Sequence, residues 1–156
     1  MKNPVSLFLV LAALSLAASA QGFSKAECVS HLNKEPDPPF RLSLVKATAR
    51  CNAIDSRIKV LQKQILGKWK LIYSNDDSLR GSSMSFLANG TVHWNNGSRK
   101  RTETWMIGNP YGALGAEVIQ FGDESWVSPI KIHGTTMTIT SQPASFETIE
   151  RYKRIN

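Results

Sequence analysis

The hydrophobic pattern of the chain changes its period within residues 64–73, QILGKWKLIY. Up to Ile65 the apolar residues recur every three or four positions, which is the spacing of one face of an α-helix. From Trp69 onward they alternate with polar residues, as in a strand that buries one face. The triplet Gly67-Lys68-Trp69 stands at the change. The pattern therefore predicts a helix that leads directly into a β structure.

Residues 1–20 have the three parts of a secretory signal peptide. Lys2 precedes an apolar run from Val5 to about Ala17, and Ala18-Ser19-Ala20 matches an A-x-A cleavage site. The run is too short for a comfortable membrane span, and no second run follows it. The mature chain is therefore expected to start near Gln21, to be secreted or periplasmic, and to have no transmembrane segment. A retained N-terminal anchor is the alternative.

An N-terminal extension, residues 21–41, precedes the helical pattern. It contains the extended connector Pro36-Asp37-Pro38-Pro39, because three prolines in four residues do not continue a helix. A short helix is predicted before it, over residues 24–33, where Ser24 and Glu27 have capping-box spacing.

The helical pattern covers residues 42–65, and its apolar side chains form one stripe that is suited to packing on the following domain. An even pair of cysteines, Cys28 and Cys51, favours a disulfide in an exported chain. Such a bond would hold the extension against the buried face of the helix. Two buried free thiols are the alternative. The stripe consists of Leu44, Ala47, Cys51, Ile54, Ile58, Leu61 and Ile65.

The alternating pattern of residues 66–156 predicts eight short strands without a helix between them. Asn89-Gly90, Asn96-Gly97 and His133-Gly134 are turn signals, and short connections favour up-and-down order. Asn89 and Asn96 also match the glycosylation acceptor pattern, but each is explained by its turn. The predicted fold class is mainly β: an eight-stranded antiparallel up-and-down barrel preceded by an N-terminal α-helix. A sandwich is the alternative.

On these residues the chain resembles the lipocalin-like families (calycin superfamily) of small secreted bacterial proteins. The similar stretches are LGKWKL at 66–71, FLANGTV at 86–92 and IERYKR at 149–154. The fuller lipocalin pattern includes a T-D-Y triplet, which this chain lacks, and the barrel region is short. Both departures argue against a large open calyx. The chain also resembles the plastid lipid-associated, fibrillin-like proteins, which begin with G-x-W as well.

The lipocalin resemblance implies a structural role for the triplet. In that superfamily the tryptophan packs across the closed end of the barrel, beneath a basic side chain of the last strand. Trp69 would accordingly pack against Arg151, with Arg154 as the second choice, and Gly67 would allow close backbone approach. A guanidinium over an indole contributes about 1 kcal/mol or somewhat more. A buried strand tryptophan without a special partner is the alternative.

Apolar and aromatic side chains on several strands suggest a binding cavity. Such a lining suits a small hydrophobic ligand, so a non-enzymatic, exported lipocalin-like protein that binds or carries one is expected. A barrel that fills its own interior and serves as an envelope-associated or secreted protein-interaction module is the alternative. The candidate interior residues are Leu71, Tyr73, Phe86, Trp94, Trp105 and Trp126.

The sequence gives little support for catalysis or metal binding. His31, His93 and His133 have no carboxylate and nucleophile in a recognisable arrangement, and no cluster has zinc-ligand spacing. The formal net charge of +7 falls to +6 once Lys2 is removed. The basic residues alternate with apolar ones, which is more typical of a solvated sheet face than of nucleic-acid binding. We therefore expect no catalytic residue, metal, cofactor or nucleic-acid partner.

Overall fold

A computed structural model describes residues 23–36, 41–109, 117–122, 127–141 and 147–156. Two helices precede eight strands in chain order. Within the described residues, no helix combines the length and hydropathy that a membrane crossing needs. The helices are α1 (Lys25–Lys34) and α2 (Leu44–Ile65), and the strands are β1 (Gly67–Ser74), β2 (Ser83–Phe86), β3 (Thr91–Asn95), β4 (Lys100–Gly108), β5 (Val118–Phe121), β6 (Val127–His133), β7 (Thr136–Ser141) and β8 (Thr148–Ile155).

The eight strands form one closed antiparallel barrel. Each strand pairs with the next, and β8 returns to pair with β1. The predicted up-and-down barrel is therefore confirmed, and the sandwich alternative is wrong. The end at which α2 leads into β1 is the helix end of the barrel, and the opposite end, where β1 finishes at Ser74, is the mouth.

The two helices are joined by the predicted disulfide between Cys28 and Cys51. The Ser24 side chain accepts a hydrogen bond of 3.3 Å from the backbone N–H of Glu27, so the predicted helix start is confirmed. The predicted stripe of α2 is buried except at two residues: Leu44 is 61% exposed, and Leu61 is half-buried. The buried stripe residues share one contiguous core with the barrel interior.

The inward side chains of the strands follow the two-residue period. The side chains with no exposed surface include Trp69, Ile119, Met137 and Tyr152, and Phe86 is only 1% exposed. Each apolar side chain removed from water stabilises the fold by about 1.5–3 kcal/mol. The packed interior therefore supplies the main stabilising term of the barrel.

The Asn-Gly signals close strand connections as expected. Gly90 adopts φ 79°, and the Asn89 side chain accepts a 3.0 Å hydrogen bond from the Thr91 backbone. In the next connection the Asn96 side chain accepts a hydrogen bond of 2.8 Å from the backbone N–H of Arg99. Both asparagines thus serve their turns.

Candidate functional site

Trp69 lies at the helix end beneath a basic side chain of β8, but the partner is Arg154. The Arg154 guanidinium carbon is 4.4 Å from the Trp69 ring centroid, and the two residues are direct partners across β1 and β8. The first-choice assignment of Arg151 is wrong. Side chains alternate along β8, so the buried Tyr152 places Arg154 on the inward side and Arg151 on the outward side.

Arg154 also closes the end of α2. Its Nη1 donates to the Leu66 carbonyl at 2.6 Å, and its Nη2 donates to the Gln64 carbonyl. The Trp69 indole N–H donates to the Ile65 carbonyl at 2.7 Å. The last carbonyls of a helix have no partner within it and favour a cation. One arginine and one tryptophan therefore fix the angle between α2 and the barrel.

Gly67 is the first residue of β1 and lies between the end of α2 and the Arg154 side chain. Its φ is +113°, a conformation that other residues rarely adopt, and an added Cβ would lie 3.0 Å from Arg154 Nη1. The triplet thus requires glycine for its backbone conformation and for the space that Arg154 occupies.

Tyr73 is outside the barrel, which corrects its assignment to the interior. Regular alternation from Leu71 would place Tyr73 inward, but a register shift lies between these two residues. The shift pairs Tyr73 with Arg151, whose guanidinium lies 5.0 Å from the Tyr73 ring centroid on the outward side. Tyr73 is 47% exposed as a result.

Phe86 and Trp105 belong to one packed aromatic cluster together with Phe121. The Phe86 and Trp105 rings are edge to face at 5.6 Å, and Phe121 lies 6.3 Å from Phe86. The Trp105 indole N–H donates to the carbonyls of Leu87 and Thr91. Because their faces and polar atoms are used within the fold, these rings serve the packing near the 87–90 turn.

Leu71 and Trp94 are the candidate residues that lie inward beyond the row of Phe86 and Val92. Trp94 stands in the row of Trp69 and Met84, and Leu71 lies one inward position nearer the mouth along β1. Leu71 is buried at 8%, and Trp94 is half-buried opposite the buried Met84. The Arg101 guanidinium lies 4.8 Å from the Trp94 ring centroid. Trp126, the remaining candidate, lies outside the described residues. The structure therefore divides the predicted set and leaves Leu71 and Trp94 as the inward candidates outside the aromatic cluster.

The structure adds inward polar groups that the sequence pattern did not reveal. Glu150 accepts a hydrogen bond from the Tyr152 hydroxyl, and burial raises the pKa of the Glu150 carboxyl, with a further contribution from Asp76. Burial and the Glu150 charge also raise the pKa of the Tyr152 hydroxyl. The sequence shows that Glu150 and Tyr152 are two residues apart on a predicted strand and so share one face of it. Only the pairing register shows that this face is the inward one.

Ser82 is a second inward polar group. It follows the alternation of Met84 and pairs with Leu71, whose N–H donates to the Ser82 carbonyl at 2.8 Å. Its side chain is fully buried, and its Oγ has no hydrogen-bond partner among the described residues. A buried hydroxyl without a partner costs about 1–3 kcal/mol.

The histidines do not form a reactive arrangement in the described part of the chain. His93 Nδ1 lies 2.9 Å from Thr102 Oγ1, and His31 faces Glu35 at 3.5 Å on an exposed helix surface. Across the described ranges no three His, Cys, Asp or Glu side chains are grouped as a metal site requires.

No protein-family model matches this chain, and no curated protein is significantly similar to it.

Proposed function

We propose that the protein is an exported, lipocalin-like barrel that binds a small, mainly apolar molecule at the mouth end of its interior. The observation that carries this proposal is the position of Trp94. Its ring continues the inward row that begins with the buried Trp69 and Met84, yet it remains half-buried. An inward aromatic surface that the fold does not fully cover is suited to an apolar ligand.

The division of the interior supports a site near the mouth. At the helix end Trp69 and Phe86 are enclosed, with 0% and 1% exposure, so a ligand finds no room among them. Toward the mouth the inward positions become smaller or polar, as at Ser74 and Ser141. A ligand bound there would rest on Leu71 and Trp94, and the packed helix end would form its floor.

Glu150 supports a ligand with one polar group. Glu150 uses one carboxylate oxygen to accept from Tyr152. A few polar groups within an apolar lining orient a ligand without supplying most of its affinity.

Export of the protein is part of the proposal. The disulfide between Cys28 and Cys51 fits an oxidising compartment, as does the signal-peptide pattern of residues 1–20.

The proposal is tested by titrating the protein with N-phenyl-1-naphthylamine, an uncharged apolar fluorophore, while energy transfer from tryptophan is recorded. We expect saturable binding of one probe per chain. Trp94→Ala should weaken it several-fold, and Tyr73→Ala, which removes an outward aromatic ring, should leave it unchanged. Native mass spectrometry of the purified protein would reveal a co-purified molecule.

Two results would contradict the proposal. One is the absence of saturable binding by a protein whose circular dichroism shows it to be folded. The other is an equal loss of affinity in Trp94→Ala and Tyr73→Ala, which would place the probe on the surface. Either result favours the alternative, a protein-interaction module with a filled barrel.

A further inference from the structure

The charges of the barrel wall are sorted between its two sides. Side chains that alternate with the buried ones point outward, and among the described strands six cations do so. The only two carboxylates within those strands, Glu103 and Glu150, are on the inward side, opposite the buried Val92 and Ile139. The outward cations are Lys68, Lys70, Lys100, Lys131, Arg151 and Lys153.

Several of these cations lie close to one another on the barrel wall. Lys70 and Lys153 are direct partners on β1 and β8, and Lys131 shares a row with Arg151 through Thr138. Like charges directly opposite each other on a sheet are destabilising. In the described ranges no carboxylate lies within ion-pair distance of any of the six. An anion from outside the chain would relieve this repulsion.

A groove of about 460 Å³ lies on the same outer wall, over β1 to β4. Its Lys68 is on β1 and its Lys100 is on β4, three strand spacings or about 14 Å away across the sheet and two residues farther along the strands. Ser85 and His93 stand in the row between Lys68 and Thr102. The groove therefore has a cation toward each side and hydrogen-bonding groups between them. Its outward lining consists of Lys68, Ser83, Ser85, His93, Asn95, Lys100, Thr102 and Ile155, and the groove also reaches Met84, Trp94 and Arg101.

We propose that this outer groove binds an acidic polysaccharide, carboxylated or sulfated. Hydroxyl, amide and imidazole groups match sugar hydroxyls, and Lys68 and Lys100 match acidic groups that repeat along a chain. One aromatic ring, Trp94, lines the groove, and the Arg101 guanidinium already lies over it at 4.8 Å from the ring centroid. A single ring does not supply the series of aromatic platforms on which successive nucleic-acid bases stack. Ile155 is its one apolar outward side chain, which is too little to anchor a lipid surface. The proposal does not depend on a ligand in the interior.

The test measures binding of the disulfide-intact protein to dextran sulfate, to alginate and to neutral dextran by isothermal titration calorimetry. We expect binding to one or both acidic polymers, none to dextran, and weakening as NaCl is raised. The double variant Lys68→Gln, Lys100→Gln should bind at least roughly tenfold more weakly, because the loss of even one charged hydrogen bond is worth about a factor of ten.

The matched control is Lys46→Gln, Lys63→Gln, which removes the same charge from two exposed positions of α2. It should bind as the unaltered protein does. Equal weakening in the two double variants would overturn the proposal, since it would show attraction by net charge alone. The absence of binding to both acidic polymers would overturn it too. Tighter binding to oligo(dT) or to phosphatidylglycerol vesicles would assign the groove to another class of partner.

Discussion

The guanidinium of Arg154 lies 4.4 Å from the Trp69 ring centroid while it donates hydrogen bonds to the carbonyls of Gln64 and Leu66. The final strand, the first strand and the end of α2 therefore meet at one side chain. The positive charge faces carbonyls that a helix leaves unpaired at its C-terminus, so the contact combines cation–π and helix-end stabilisation.

Arg154→Ala is expected to lower the free energy of unfolding by about 2–4 kcal/mol, because it removes one cation–π contact and charged hydrogen bonds. Arg151→Ala removes an exposed arginine that lies over Tyr73, and should cost less than about 1 kcal/mol. Urea denaturation of both variants measures the difference. Equal losses would contradict the role given to Arg154. Arg154→Lys should recover only part of the loss, since an ammonium does not reproduce the planar guanidinium contacts.

Trp69→Ala should destabilise the protein by about 3–5 kcal/mol, the usual cost of truncating a large core side chain. Trp69 is fully buried, and its indole N–H donates to Ile65. Trp69→Phe keeps most of the packing and should cost less than the alanine variant. Urea denaturation gives the free energies, and the N-phenyl-1-naphthylamine titration of the folded variants shows whether binding changes. Intact stability with abolished binding would mean that Trp69 contacts the ligand.

Loss of the disulfide should destabilise the N-terminal helices. Cys28 and Cys51 are separated by 23 positions, and closing a loop of that size contributes about 3 kcal/mol in the chain-entropy model. The variant Cys28→Ser, Cys51→Ser should therefore unfold at lower urea concentration, with the earliest gain in hydrogen exchange in α1. The oxidised protein is the reference. Unchanged exchange in α1 would show that Leu32 and the rest of the packing hold this helix without the bond.

The architecture could be predicted from the sequence because local patterns decide it. The change of period at Gly67, the stripe of α2 and the Asn-Gly turns each reflect a requirement of nearby residues, and the structure confirms the helix, the strand count and the disulfide. Closure between β1 and β8 followed from short connections and the strand count. These features require no knowledge of which distant side chains touch.

The site assignments were less successful because they depend on whether each strand position faces the inside or the outside of the barrel. A register shift after Leu71 moves Tyr73 to the outer side, and a local pattern does not show such a shift. Arg151 and Arg154 are both basic, but an odd separation places them on opposite sides of β8. The outer cationic groove was missed for the same reason, since it emerges only when outward residues of four strands are aligned.

Glu150 should make stability depend on pH. Burial raises the pKa of its carboxyl above the usual 4.5, while the hydrogen bond from Tyr152 opposes the shift. Between 4.5 and the raised folded value, the folded protein binds more protons at this group than the unfolded chain does. This contribution to stability is therefore present at low pH and is lost as the pH rises through the folded pKa.

Glu150→Gln removes this titration and keeps a carbonyl that accepts from the Tyr152 hydroxyl. Relative to the unaltered protein, the variant should become progressively more stable as the pH is raised from about 4 to about 8, with urea unfolding measured at each pH. Tyr152→Phe is the companion variant. It deletes the hydrogen bond that lowers the Glu150 pKa in the folded protein, so the decline in stability should begin at the same pH and extend to higher pH. Parallel pH profiles for Glu150→Gln and the unaltered protein would show that Glu150 has the same pKa in the folded and unfolded states.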